Sequence, residues 1–136
     1  MGPITILYDD LQSGEKQETV STPEELKSRL KAIGDDYSTR VRMPFGVDLV
    51  TDGGDRLSIA LGQEHAVVSH FDAENIETVT AVGNSHAAGS TPFYFGDHTL
   101  IPNRFLIPVD IAWRIVDEWC DRGTLSSLLT WTSAIK

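Results

Sequence analysis

The chain has 136 residues and a formal net charge of −9, and 40% of its residues are hydrophobic and 23% charged, which predicts one soluble globular domain over residues 1–136. The negative charge argues against direct nucleic-acid binding, because phosphate contacts require lysine and arginine, and no apolar run approaches the ~20 residues of a membrane span. The lone Cys120 excludes an internal disulfide; together with the lack of a basic, apolar leader it favours the cytoplasm.

The N-terminal part predicts a strand, a polar connection and a helix. Residues 3–8 (PITILY) are rich in β-branched side chains, which is typical of a strand. Residues 9–18 are polar and are expected to form a connection or a hairpin loop. Residues 20–34 have a helical pattern in which Thr22 is the candidate N-cap, Glu25 completes a capping box, and the final glycine ends the helix.

From Pro44 onward the hydrophobic period changes to two. Residues 45–50 and 56–61 are alternating runs on either side of an Asp-Gly-Gly sequence, which is a strong hairpin signal. Further strands are predicted at residues 66–71 and 91–95, while residues 73–82 fit either a strand or a loop.

The C-terminal third predicts a short strand at residues 105–107, followed by a proline and a strongly amphipathic helix that ends at Gly123. One face of that helix is apolar on a helical wheel and must be buried. The residues on this face are Ala112, Ile115, Val116 and Trp119.

Several predicted strands follow one another without an intervening helix, which implies a mostly antiparallel sheet. We therefore predict an α+β fold: a sheet of about five to seven strands, with the N-terminal helix and the C-terminal amphipathic helix packed on one face.

The acidic residues are concentrated in the middle of the chain. Residues 44–103 contain eight acids and the single base Arg56, a net charge of −7. Such a segment can attract a basic partner through its summed field, or it can simply keep the protein soluble. Tyr94 is expected to point outward if Phe93 and Phe95 point inward. The candidate partner-binding residues are Asp48, Asp52, Asp55, Glu64, Asp72, Glu74, Glu77, Tyr94 and Asp97.

Signals for catalysis or metal binding are weak. The four histidines lack metal-ligand spacing, and Cys120 falls beside the apolar face of a helix, where cysteine is usually inert. We expect no catalytic residues, no metal and no cofactor. Two alternatives stay open: a small enzyme or ligand-binding domain with a pocket between helices and sheet, involving His70 and His98, or a structural subunit that self-associates through a sheet edge.

Several short motifs resemble the first-numbered family of immunity proteins from bacterial polymorphic toxin systems. They are the Asp-Gly-Gly hairpin at residues 52–54, the Phe-Tyr-Phe-Gly sequence at 93–96, Leu-Ile-Pro at 106–108, and the last helix with Gly123 and Trp131 eight residues beyond. The chain departs from the family at Arg122, where a threonine is common, and at Ser126, where a proline is frequent. The resemblance covers residues 44–131 and, weakly, the helix at 26–33.

The resemblance implies a non-enzymatic protein that binds and neutralises a cognate toxin, often a nucleic-acid deaminase, with a nuclease as the alternative. We expect the protein to be a monomer or to form a 1:1 complex with the toxin. An independent physical argument supports this expectation. A toxin that acts on nucleic acid needs a cationic groove, and an acidic surface can occupy that groove in place of the phosphate backbone.

Overall fold

The computed structural model describes residues 2–10, 14–40, 45–61, 64–94, 98–125, 127 and 129–133, with the backbone alone at residues 10, 37–40, 45, 94 and 98. In chain order the elements are β1 Ile4–Asp10, β2 Gly14–Val20, α1 Pro23–Arg40, β3 Phe45–Thr51, β4 Arg56–Leu61, β5 His65–Asp72, β6 Glu77–Val82, β7 Ser90–Tyr94, β8 His98–Pro102, a 3₁₀ turn Asn103–Phe105, β9 Ile107–Pro108, α2 Val109–Arg122 and β10 Thr130–Thr132.

The strands form one sheet in the order β10-β6-β5-β4-β3-β1-β2, and every neighbouring pair along it is antiparallel. The short β9 pairs with β5, and the β7–β8 hairpin joins β3 through one parallel pair, Phe45 with Tyr94. The predicted α+β class with a mostly antiparallel sheet is confirmed. The described sheet has ten strands rather than five to seven, because three strands lie in stretches where none was predicted: β2 is polar, β8 begins in a stretch that reads as a turn, and β10 is only three residues long.

Both helices cover the same face of the sheet, as predicted. Alternate residues of the central strands, such as Leu49, Leu57 and Val68, are fully buried on this side. Helix α1 adds Leu26 and Leu30 to the same core. The apolar face of α2 is also confirmed, and its buried residues are Ala112, Ile115, Val116, Trp119 and Cys120.

The other face of the sheet is covered at one end by the β7–β8 hairpin. Phe93 is buried against Ala60 and Val67 in a second, smaller core. A close backbone approach fixes the connection that leads into this hairpin: a Cβ at Gly83 would lie 1.8 Å from the carbonyl oxygen of Leu106. Only glycine fits there without a backbone shift.

Two helix boundaries agree with the sequence signals. Thr22 caps α1, since its hydroxyl accepts the N–H of Glu25 at 3.1 Å, and the Glu25 carboxylate accepts the N–H of Ser21 at 2.8 Å. Gly123 ends α2 in the left-handed conformation (φ 69°), and its N–H donates to the carbonyl of Trp119 at 2.9 Å.

Three element assignments were wrong. Helix α1 continues through Gly34 to Arg40, because Gly34 does not adopt the left-handed conformation that makes glycine a stop signal. Residues 14–20 form β2 rather than a loop and a helix start, since they pair along the full length of β1. Residues 103–105 form a 3₁₀ turn, and only Ile107 and Pro108 pair as a strand.

Candidate functional site

Two turns lie side by side at one end of the sheet. Strands β4 and β5 are neighbours, with Arg56 opposite Phe71, so the turn before β4 and the turn after β5 emerge together. Asp55 in the first turn accepts the N–H of Ala73 in the second at 2.9 Å, which ties the two turns to each other. We call their five acidic residues the acidic end: Asp52, Asp55, Asp72, Glu74 and Glu77.

Two carboxylates of the acidic end hold the turns in shape. Besides Asp55, Asp72 accepts the backbone N–H groups of Glu74 and Asn75 at 3.0 and 3.3 Å and the side-chain amide of Asn75 at 2.7 Å. These hydrogen bonds, first of all that from the Asn75 side chain, lower the pKa of Asp72 below its ordinary value. Both residues are therefore engaged within the fold.

The other three carboxylates of the acidic end are exposed. The side chains of Asp52, Glu74 and Glu77 make no hydrogen bond or ion pair within the described part of the chain. Between Glu74 and Glu77 the turn presents Ile76, which is 79% exposed and has a φ of 52°. A positive φ is rare for a β-branched residue. The turn thus presents one apolar side chain flanked by acids.

The nearest base in sequence to the acidic end is engaged elsewhere. Arg56 forms an ion pair with Asp48 at 3.2 Å on the sheet face opposite the helices, and the hydroxyl of Ser58 also donates to Asp48. Neither turn contains a lysine or an arginine. The negative charge of Asp52, Glu74 and Glu77 is therefore not offset by a base within their own turns.

The remaining predicted residues lie away from the acidic end. Asp48 is in the middle of β3, and Glu64 is exposed at the other end of the sheet, just before β5. Tyr94 ends β7 beside Phe45, also at that other end. Asp97 lies outside the described residues. The structure thus brings five of the nine candidates together and leaves three others apart.

A pocket of about 320 Å³ opens beside the acidic end, between the N-terminal segment, the β3–β4 turn and the C-terminus of α2. Its lining includes Pro3, Ile4, Asp52, Asp55, Trp119 and Cys120. Trp119 is only 4% exposed. Sequence reasoning missed this pocket, because its walls come from three segments far apart in the chain.

His70 lies close to this end of the core. Its ring centroid is 6.3 Å from that of Trp119 at an interplanar angle of 74°, and its Nε2 is buried without a hydrogen-bond partner among the described residues. Burial lowers the pKa of His70, and the nearby Asp55 and Asp72 partly oppose this shift. His98 is on β8, whose only described partner is β7, so the two histidines suggested for a shared pocket lie on strands that do not pair.

Other reactive groups give no further site among the described residues. No group of three or more histidine, cysteine or acidic side chains there could hold a metal ion. Burial raises the pKa of the Cys120 thiol to about 11, so it is protonated at neutral pH. No helix in the described part of the chain is both long enough and apolar enough to cross a membrane.

Comparison with known families identifies the chain. The model of the family described as immunity protein Imm1 matches residues 14–133. The chain belongs to the Imm1 family. This finding confirms the resemblance drawn from the hairpin, the Phe-Tyr-Phe-Gly sequence and the last helix, and it makes the chain an immunity protein, whose role is to neutralise a cognate toxin. A search among curated proteins found no match.

Proposed function

We propose that this Imm1 protein neutralises a toxin that acts on nucleic acid, a deaminase in the first instance, by covering the basic groove that holds the toxin's substrate. The contact surface is acidic and lies within residues 44–103, with the acidic end at its centre. The protein acts without catalysis, in the bacterial cytoplasm, as one domain in a 1:1 complex with the toxin.

The observation that carries this proposal is the set of carboxylates at the acidic end that the fold leaves unpaired. Asp52, Glu74 and Glu77 are exposed, and their side chains make no hydrogen bond or ion pair within the described residues. Unpaired carboxylates on a rigid support can take the place of substrate phosphates in a cationic groove. The hydrogen bond between Asp55 and Ala73 supplies that rigidity, because it fixes the two turns relative to each other.

The exposed Ile76 supports a protein partner rather than a merely soluble surface. An exposed apolar side chain can serve as the anchor of a contact site, with its charged neighbours as the polar rim. On this proposal the acids steer the encounter and Ile76 is buried once the complex has formed.

The proposal is tested by competition for the toxin. The purified toxin domain encoded beside this chain is first assayed for deamination of single- and double-stranded DNA and RNA, and the bound nucleic acid is followed by fluorescence anisotropy. Added immunity protein is expected to abolish deamination and to displace the nucleic acid at one equivalent, with an association rate that falls as salt rises.

Two outcomes would overturn separate parts of the proposal. A ternary complex in which the nucleic acid stays bound would rule out occlusion of the groove. A toxin that is neutralised but hydrolyses nucleic acid instead of deaminating it would rule out the deaminase assignment while leaving groove occlusion in place.

A further inference from the structure

The pocket beside the acidic end has a chemistry that matches one kind of occupant. Its lining includes the apolar residues Pro3, Ile4 and Trp119, and two acidic residues, Asp52 and Asp55, on the turn that closes one side. Helix α2 ends at the pocket with its negative dipole end, where Gly123 is one of the lining residues. Apolar walls with two carboxylates and the C-terminus of a helix beside them suit a long side chain that has an aliphatic stem and a cationic head.

From these features we propose that the pocket receives one arginine or lysine side chain of the toxin, and that this side chain anchors the complex. The inference rests on the proposed function, since it names the toxin group that the acidic surface recognises. Asp52 contacts the cationic head, because its carboxylate is exposed and has no partner in the described part of the chain. Asp55 adds charge while it keeps its hydrogen bond to Ala73.

The size of the pocket favours a single side chain over a cofactor. About 320 Å³ is at the lower limit of the ~300–1,000 Å³ typical of small-molecule sites. The buried Trp119 and Cys120 give the pocket one wall that belongs to the protein core, whereas the N-terminal segment and the β3–β4 turn form its other walls. A wall that is in place before binding limits the loss of conformational entropy.

The first experiment measures the pocket alone. The ¹⁵N-labelled protein is titrated with N-acetyl-arginine methylamide as the probe, with the uncharged N-acetyl-norleucine methylamide as the control ligand. We expect the arginine probe to shift the amide signals of Gly53, Asp55 and Gly123 and the indole signal of Trp119, and the norleucine probe to leave them in place. Equal shifts from both probes, or shifts confined to residues outside the pocket, would overturn the inference.

Matched variants separate charge from shape. Asp52→Asn should weaken binding of the arginine probe by about three-fold or more, whereas Glu64→Gln, an exposed acid at the other end of the sheet, should not change it. Gly53→Leu should block the pocket without strain, because a Cβ at Gly53 meets only the Thr51 hydroxyl, at 3.9 Å, and its φ is not positive. An unchanged probe affinity in both pocket variants would contradict the proposal.

The second experiment uses the toxin and distinguishes failure of the pocket inference from failure of the proposed function. If the toxin binds and the same pocket signals shift, with weaker binding for Asp52→Asn and Gly53→Leu, the inference holds. If the toxin binds tightly and both variants bind it as well as the parent protein, the pocket inference fails while the proposed function stands. If the toxin does not bind at all, the proposed function fails and the inference fails with it.

Discussion

Glu18 and Glu77 are both carboxylates near a strand end, but the fold treats them differently. Glu18 accepts hydrogen bonds from Arg29 at 2.6 and 2.8 Å and from the Tyr8 hydroxyl at 2.6 Å. Glu77 is exposed and has no side-chain partner in the described residues. Arg29, above all, lowers the pKa of Glu18. The charge of Glu18 thus stabilises the fold, whereas that of Glu77 is available to a partner.

This difference shows why a net charge does not by itself define a binding surface. Among the described acids of residues 44–103, Asp48, Asp55 and Asp72 accept hydrogen bonds through their side chains, whereas Asp52, Glu64, Glu74 and Glu77 have no side-chain hydrogen bond or ion pair to a described residue. Three of the four unengaged carboxylates lie on two neighbouring turns that Asp55 holds together. Substitutions should therefore affect toxin binding at these exposed carboxylates and folding stability at those that the fold uses.

The largest effect is expected from reversing the charge of the three exposed carboxylates together. The variant with Asp52, Glu74 and Glu77 changed to lysine should lose about 100-fold or more in affinity for the toxin, because attraction becomes repulsion at the centre of the contact. Its free energy of unfolding should stay within about 0.5 kcal/mol of the parent value, because these exposed side chains make no hydrogen bond or ion pair among the described residues. Calorimetric titration and urea unfolding measure the two quantities.

The matched control changes three exposed or half-exposed acids outside residues 44–103 to lysine: Glu15, Glu24 and Glu118. It therefore has the same net charge as the variant of the acidic end. We expect its affinity for the toxin to fall much less, since only the long-range field changes. Equal losses in both variants would mean that net charge alone, and not the acidic end, governs binding.

At Glu18 we expect the reverse pattern: a loss of stability with little change in toxin affinity. Glu18→Gln should lower the free energy of unfolding by about 1 kcal/mol, because the paired carboxylate is only partly screened by water. Glu15→Gln on the same strand, whose side chain is exposed, is the control and should leave stability unchanged. Neither substitution should alter toxin affinity by more than about two-fold, since both lie on β2, away from the acidic end. A large loss of toxin affinity in Glu18→Gln would contradict the claim that Glu18 stabilises the fold without contacting the toxin.

The contribution of Glu18 to stability should also depend on pH. Its pKa in the folded protein lies below the ordinary value of 4.5, so the unfolded chain takes up the proton first as the pH falls. The stability gap between the parent protein and Glu18→Gln should therefore be complete at pH 7, shrink below about pH 4.5 and disappear once folded Glu18 is protonated. Urea unfolding at a series of pH values measures it. A gap that widens on acidification would show that the Arg29 pair does not stabilise the fold.

The smallest effect is expected at Glu64. This exposed acid lies before β5, at the other end of the sheet from the acidic end, and its side chain makes no hydrogen bond or ion pair among the described residues. Glu64→Gln should change toxin affinity by less than about two-fold. A loss of toxin affinity as large as that of Asp52→Asn would show that the contact is not centred on the acidic end.

The α+β fold could be predicted because its signals are local. Alternation identified β3 and β4, a third run after them identified β5, the apolar stripe of α2 identified its buried face, and Gly123 marked its end. Strand β2 was missed because its side chains are mostly exposed and polar, so that only pairing with β1 makes it a strand. The predicted end of α1 at Gly34 was wrong, because a glycine in the left-handed conformation is what ends a helix, and Gly34 does not have a positive φ.

The candidate site could be predicted in composition but not in arrangement. The sequence shows eight acids in residues 44–103, but it does not show that Asp48 pairs with Arg56, or that Asp72 is used by Asn75. These contacts depend on strand register and turn geometry. The pocket lined by Ile4, Asp52 and Trp119 depends on contacts between segments that are remote in the chain, and no local pattern encodes it.

The central claim is that the toxin contacts the carboxylates that the fold leaves unpaired, and hydrogen–deuterium exchange of the 1:1 complex tests it most directly. Amides of residues 51–55 and 72–77 should exchange more slowly when the toxin is bound, whereas those of β2, which carries the engaged Glu18, should be unchanged. Protection of β2 with unchanged exchange in both turns would contradict the account.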